Sequence, residues 1–204
     1  MVYETGNVIA AVAAEAGLQF LSDEPIWYIH PDTEEQKAFY GDWVLARGDA
    51  DRKVITAKDL LLVVEVVSTS QRKKEIKDTG FQRTLNEYNE VPEFGLVFPN
   101  LDDPRSLRWY RLVDGLYEEV TLSPGAEVAS STVEGLVLRV RPQDQWEEGR
   151  KLDVFYQGQR RLVLMDERER AEQEKARAEQ EKARAEQLAA RLRELGVDPD
   201  TVAR

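Results

Sequence analysis

Asp59-Leu60-Leu61-Leu62-Val63-Val64-Glu65-Val66-Val67 decides how this chain folds. Its apolar run has no polar alternation, which describes a strand buried on both faces, the central kind in a sheet covered on each side. Downstream, residues 71–88 carry helical spacing and 94–98 read as a second buried strand. A strand, helix, strand order of this kind gives a mixed α/β core. Upstream, 39–45 reads as one strand, preceded by short strands at 18–21 and 26–29 and by a helix over 7–16 that Gly17 ends. Further on, 107–112 and 116–121 flank Asp114-Gly115, the strongest short hairpin signal, and predict an antiparallel pair. Strands at 136–140, 151–156 and 161–164, the last two joined through Gln157-Gly158, complete the body.

Composition limits the chemistry. The 204 residues contain no cysteine, one histidine (His30) and a net charge of −11. Without cysteine there is no disulfide framework, thiolate zinc site or cysteine nucleophile. A single imidazole makes no multi-histidine metal site, and His30 in Ile29-His30-Pro31-Asp32 reads as a surface turn residue, which leaves no Ser-His-Asp triad. Hydrolytic chemistry would rest on carboxylates, a hard divalent cation and lysine. No apolar run reaches the ~18 residues of a membrane span and no signal peptide is evident, so a soluble cytoplasmic protein is expected. A pI near 4.8 argues against coating nucleic acid by bulk charge, so any such binding must be local.

A body over 1–165 and a tail over 166–204 differ in composition. The tail repeats AEQEKAR at Ala171–Arg177 and Ala178–Arg184 and is rich in strong helix formers, which predicts one long helix capped near Gly196. A seven-residue period places Leu188, Leu192 and Leu195 on a coiled-coil seam, whereas Glu174 and Glu181 interrupt it. Weak dimerisation through this helix and a merely solvated helix both fit.

Glu65 is the one acid in the double-buried strand, so it requires a cation, a donor network or a partner. Asp42, in Tyr40-Gly41-Asp42-Trp43, precedes it on a neighbouring strand-like piece. Two carboxylates on adjacent strands can hold a divalent cation by oxygen ligands, although Gly41-Asp42 is equally turn chemistry. After the Glu65 strand come Arg72, Lys73, Lys74, Lys77 and Arg83, a local basic patch suited to a phosphodiester or to plain helix solvation. Trp27, Trp43, Trp109, Tyr28, Tyr40 and Tyr110 lie in strand-like runs and read as packing residues.

Taken together, Gly41-Asp42-Trp43-Val44, the 59–68 strand, Val91-Pro92-Glu93-Phe94, the Asp114-Gly115 hairpin and the Glu-rich tail ending in Leu195-Gly196-Val197-Asp198-Pro199 resemble the large bacterial family of restriction endonucleases with the PD-(D/E)XK nuclease fold. The resemblance implies an α/β restriction-endonuclease-like domain, a mixed sheet flanked by helices with an extra hairpin region and a long C-terminal helix. It also implies Mg2+- or Mn2+-dependent hydrolysis of double-stranded DNA, with Asp42, Glu65 and the Val66 main-chain carbonyl as metal ligands. The family's lysine should follow the second acid by two residues, where this chain has Val67, or lie on the next helix. Counting back from Val91-Pro92-Glu93 reaches Gln82 and counting forward from Glu65 reaches Asp78; neither is lysine. Lys74 and Lys77 are the candidate substitutes, and Glu4 and Glu15 the only acids near the first helix. The alternative is a catalytically degenerate member that binds nucleic acid or a protein partner without cleavage.

Overall fold

A computed structural model describes residues 2–48, 54–67, 75–120, 122–147, 149–161 and Lys175. The tail helix and its proposed dimer seam therefore lie outside the described residues, as do Arg72, Lys73 and Lys74.

Helix α1 (Val2–Glu15) buries Val8, Ile9, Val12 and Ala13 on one side. Gly17 ends it with φ 68°, which lets the Leu18 N–H reach back to the Ala13 carbonyl at 2.8 Å. Strands β1 (Gln19–Leu21), β2 (Ile26–Ile29), β3 (Gln36–Phe39), β4 (Trp43–Ala46), β5 (Ile55–Thr56) and β6 (Leu60–Val66) follow. The crossover after β6 ends in a π-helical turn, Lys77–Phe81, and helix α2 (Gln82–Tyr88). Then come β7 (Glu93–Val97), β8 (Leu107–Val113), β9 (Leu116–Val120), β10 (Glu127–Ala129), β11 (Leu136–Val140), β12 (Leu152–Tyr156) and β13 (Gln159–Arg161).

A six-stranded sheet in the order β1-β4-β6-β7-β8-β9 forms the centre. Its β6–β7 pair is parallel and its other pairs antiparallel, so the sheet is mixed as expected. Leu60 through Glu65 are all buried, the double-faced cover that the sequence demanded. The hairpin β8–β9 turns through Asp114 (φ 50°) and Gly115 (φ 82°), the left-handed pair that a two-residue turn requires.

Three expectations need correction. Residues 39–45 do not form one strand: β3 belongs to a three-stranded sheet (β3-β2-β5) and β4 to the central one, and Tyr40-Gly41-Asp42 is the passage between them. The helix expected over 71–88 is, in its described part, interrupted by the π-helical turn. The strand expected from 161 begins instead at Gln159, as β13, the edge of a four-stranded antiparallel sheet β10-β11-β12-β13.

Side-chain alternation sorts the central sheet into two faces. Val44, Val63, Phe94, Leu96, Tyr110 and Tyr117 share a core with Leu85 of α2 and with Ile26, Tyr28 and Ile55 of the small sheet. On the opposite face lie Trp43, Val64, Trp109 and Glu93, and a side chain at Gly6 of α1 would meet the Trp43 ring. Glu93 is fully buried there. Its carboxylate accepts hydrogen bonds from Trp109 Nε1 (3.2 Å), the Ser131 N–H (2.9 Å), Ser131 Oγ (3.1 Å) and Thr132 Oγ1 (2.9 Å), and also from Ser130 Oγ. This acid thereby fixes the β10–β11 connection to β7. Glu93→Ala strands several buried donors at once, so we expect unfolding in urea to show a loss of about 3–5 kcal/mol.

Candidate functional site

Glu65 sits at the C-terminal end of β6, on the face covered by the small sheet, with 7% of its surface exposed. Strand β4 pairs with β6 only as far as Trp43 opposite Val64, which leaves the Val66 N–H beyond the end of the ladder. Asp42 supplies the acceptor: its Oδ2 takes the Val66 N–H at 2.6 Å. The bond sets the Asp42 carboxylate against the same end of β6 that carries Glu65. Gly41 completes the corner, since a Cβ placed on it would stand 3.6 Å from Glu65 Oε1 and 2.6 Å from Val44 Cγ2. The glycine is thus required by close approach, and the turn reading of Gly41-Asp42 and the acidic-pair reading describe the same three residues.

Tyr28 of β2 lies under this corner. Burial holds its phenol far above the ordinary tyrosine range, with the nearby Tyr117 and the charge of Glu65 acting in the same direction. It therefore remains a donor and gives its proton to Asn86 Oδ1 at 2.8 Å, while Asn86 Nδ2 donates to the Gln82 carbonyl at 2.8 Å. This chain of bonds seats α2 on β2. Because the crossover returns from the C-terminal end of β6 to the start of β7, Gln82, the first residue of α2, stands toward the Glu65 end. Tyr28 and Asn86 were missed as site residues; the only signal was a polar residue on a helix face otherwise needed for packing.

Among the basic candidates, Arg83 lies over the Tyr110 ring, its Cζ 5.1 Å from the centroid. Lys77 falls within the π-helical turn; its side chain, like all of Lys74, lies outside the described residues. Arg105, in the loop after β7, is committed to structure: it binds Glu75 at 2.5 Å and Asp103 at 2.7 Å and covers the Phe98 ring. Its guanidinium holds the Asp103 carboxyl below the usual carboxylate range.

His30 opens the turn after β2, as expected, its carbonyl accepting the Glu34 N–H at 2.8 Å, but it is half-buried rather than fully at the surface. Its ring completes a three-ring cluster with Phe39 and Phe81, which also touch each other, and Nδ1 accepts the Asp32 N–H at 3.2 Å. Glu15 pairs with Arg161 at 2.6 Å, and the Glu4 side chain lies outside the described ones. Trp43, Trp109, Tyr28 and Tyr110 pack inside, whereas Trp27 and Tyr40 are exposed.

The donor set at the corner is two carboxylates, hard oxygen ligands of the kind magnesium and manganese take. Among the described residues, no group of three or more acids or histidines gathers to hold a metal.

A family model, Uma2, described as "Putative restriction endonuclease", matches residues 5–141. The chain belongs to the Uma2 family. The matched span starts within α1 and ends just after β11, so it includes the Asp42–Glu65 corner, both elements of the crossover and the β8–β9 hairpin. The mixed α/β architecture agrees with the restriction-endonuclease-like fold of Uma2. No curated protein matches the chain. Among the described residues, no helix is long and apolar enough to cross a membrane.

Gly41 tests the corner in this Uma2 chain. Val44 is fully buried and cannot retreat from a new Cβ, so Gly41→Ala is expected to cost about 1–3 kcal/mol in a urea titration through overpacking.

Proposed function

We propose that this protein is a metal-dependent endonuclease that hydrolyses phosphodiester bonds of double-stranded DNA. The observation that carries the reading is the convergence of Asp42 on the Glu65 end of β6 through the Val66 amide, in a chain of the Uma2 family. In this reading Asp42 and Glu65, with the Val66 carbonyl, hold Mg2+ or Mn2+. Such a cation polarises a scissile phosphate and lowers the pKa of a bound water.

The chain's own residues supply orientation and charge. The Val66 N–H fixes the rotamer of Asp42, so this ligand does not have to be ordered when the cation arrives. Tyr28 and Asn86 hold α2, and with it Gln82, against the sheet. Lys74 and Lys77 are the proposed substitutes for the family lysine and would stabilise charge on the phosphate. Gln82, at the position reached by counting back from Val91-Pro92-Glu93, offers an amide where a cation is expected.

Plasmid cleavage with Mg2+ or Mn2+ tests the reading. Wild-type protein is expected to nick or linearise the plasmid, and Asp42→Ala and Glu65→Ala to lose more than about 10²-fold in rate with unchanged circular dichroism. Gln82→Lys is expected to raise the rate and Lys77→Ala to lower it. Absence of cleavage under every divalent metal would overturn the proposal; DNA binding without cleavage would establish the degenerate alternative.

A further inference from the structure

On the face that carries Glu65, Arg83 of the patch that follows β6 meets an arginine from outside it, Arg108 of β8. Register places Glu65 opposite Leu96 and Leu96 opposite Arg108, so Glu65 and Arg108 occupy one row across three adjacent strands. At the spacing of neighbouring strands they are about 10 Å apart. Tyr110, two residues on, points to the same face, so its ring stands beside Arg108. Arg83 reaches the same tyrosine from α2 and lies over its ring. One buried aromatic ring thus steadies two guanidinium groups, one from the helix and one from the sheet.

The acid beside them is Glu119, 3.8 Å from Arg108, and this pair is 42% and 45% exposed. An exposed ion pair at that distance is weak and readily exchanged for a stronger anion. Glu87, on the same helix as Arg83, is engaged by the Tyr117 N–H at 2.6 Å. Two positive groups therefore face two carboxylates, of which Glu119 is only loosely held, in a chain whose net charge is −11. Planar guanidinium forks held against an aromatic ring suit a phosphate, which they bind bidentately.

We infer that Arg83 and Arg108 form a phosphate-binding site for the nucleic-acid backbone, engaging a phosphate beside the one cleaved at Asp42 and Glu65. The inference rests on the nuclease reading for its substrate. Because two strand spacings separate Arg108 from Glu65, the arginines are positioning residues and do not touch the reacting phosphorus.

The test measures binding of the full chain to a 20-base-pair duplex in EDTA, by fluorescence anisotropy over a range of salt concentrations. Arg83→Gln and Arg108→Gln are each expected to flatten the slope of log Kobs against log salt by about 1, and the double variant by about 2. Arg139→Gln, on β11 and paired with Glu127, should leave the slope unchanged. A fold defect would lower the active fraction without changing the slope. Unchanged slopes in both glutamine variants overturn the site even where cleavage depends on Glu65. Flattened slopes without cleavage under any metal uphold the site and overturn the nuclease reading. No binding to the duplex in EDTA overturns the site, while cleavage with Mg2+ or Mn2+ still decides the nuclease reading.

Discussion

One buried carboxylate at the end of a doubly covered strand organises this molecule. Strand β6 is apolar on both faces and must be enclosed, which requires neighbours β4 and β7 and a layer on each side. Glu65 interrupts that enclosure. A carboxylate in such a place needs compensating groups, and the chain around it opens an edge: β4 stops short, Gly41 leaves room beside Val44 Cγ2, and Asp42 takes the amide that the shortened ladder leaves over. The corner is a consequence of ending one strand two residues before its partner.

Glu93 shows what a purely structural buried acid looks like in the same sheet. Donors from Trp109, Ser130, Ser131 and Thr132 surround its two oxygens, and its surface is closed to solvent. Such a group has little capacity left for a cation. Glu65 differs in place and exposure: it lies at a strand end, keeps a small exposed fraction, and has a second carboxylate set beside it by a backbone hydrogen bond. The contrast separates an acid used to fasten two layers from one positioned at an edge.

The sequence made the central sheet legible because burial on both faces leaves a compositional trace that needs no tertiary information. It also placed the β8–β9 hairpin, where Asp114-Gly115 prescribes the turn, and singled out Asp42 and Glu65 by their neighbours. What it concealed depended on contacts between distant segments. The local mark of the break between β3 and β4 is Gly41-Asp42, which reads equally as a turn and as an acid site, and Phe39, Trp43, Val44 and Leu45 are apolar whichever sheet they enter. The lysine counts disagreed for a similar reason. Forward and backward counting met at Asp78 and Gln82, and the π-helical turn Lys77–Phe81 occupies the interval between them. A wider helical turn takes in residues that a uniform 3.6-residue period does not anticipate.

The same dependence on topology explains how an acidic chain can present a positive face. Arg83 and Arg108 are 25 residues apart in sequence and unremarkable in their local context, and composition counts them against a larger number of acids. The parallel β6–β7 pair and the antiparallel β8 bring Arg108 into the Glu65 row, and the crossover returns Arg83 to the ring beside it. Field strength at a surface falls off within roughly 8–10 Å at physiological salt. Acids farther away than that are screened from the two guanidinium groups at Tyr110, so net charge acts on long-range approach while this local pair acts on docking.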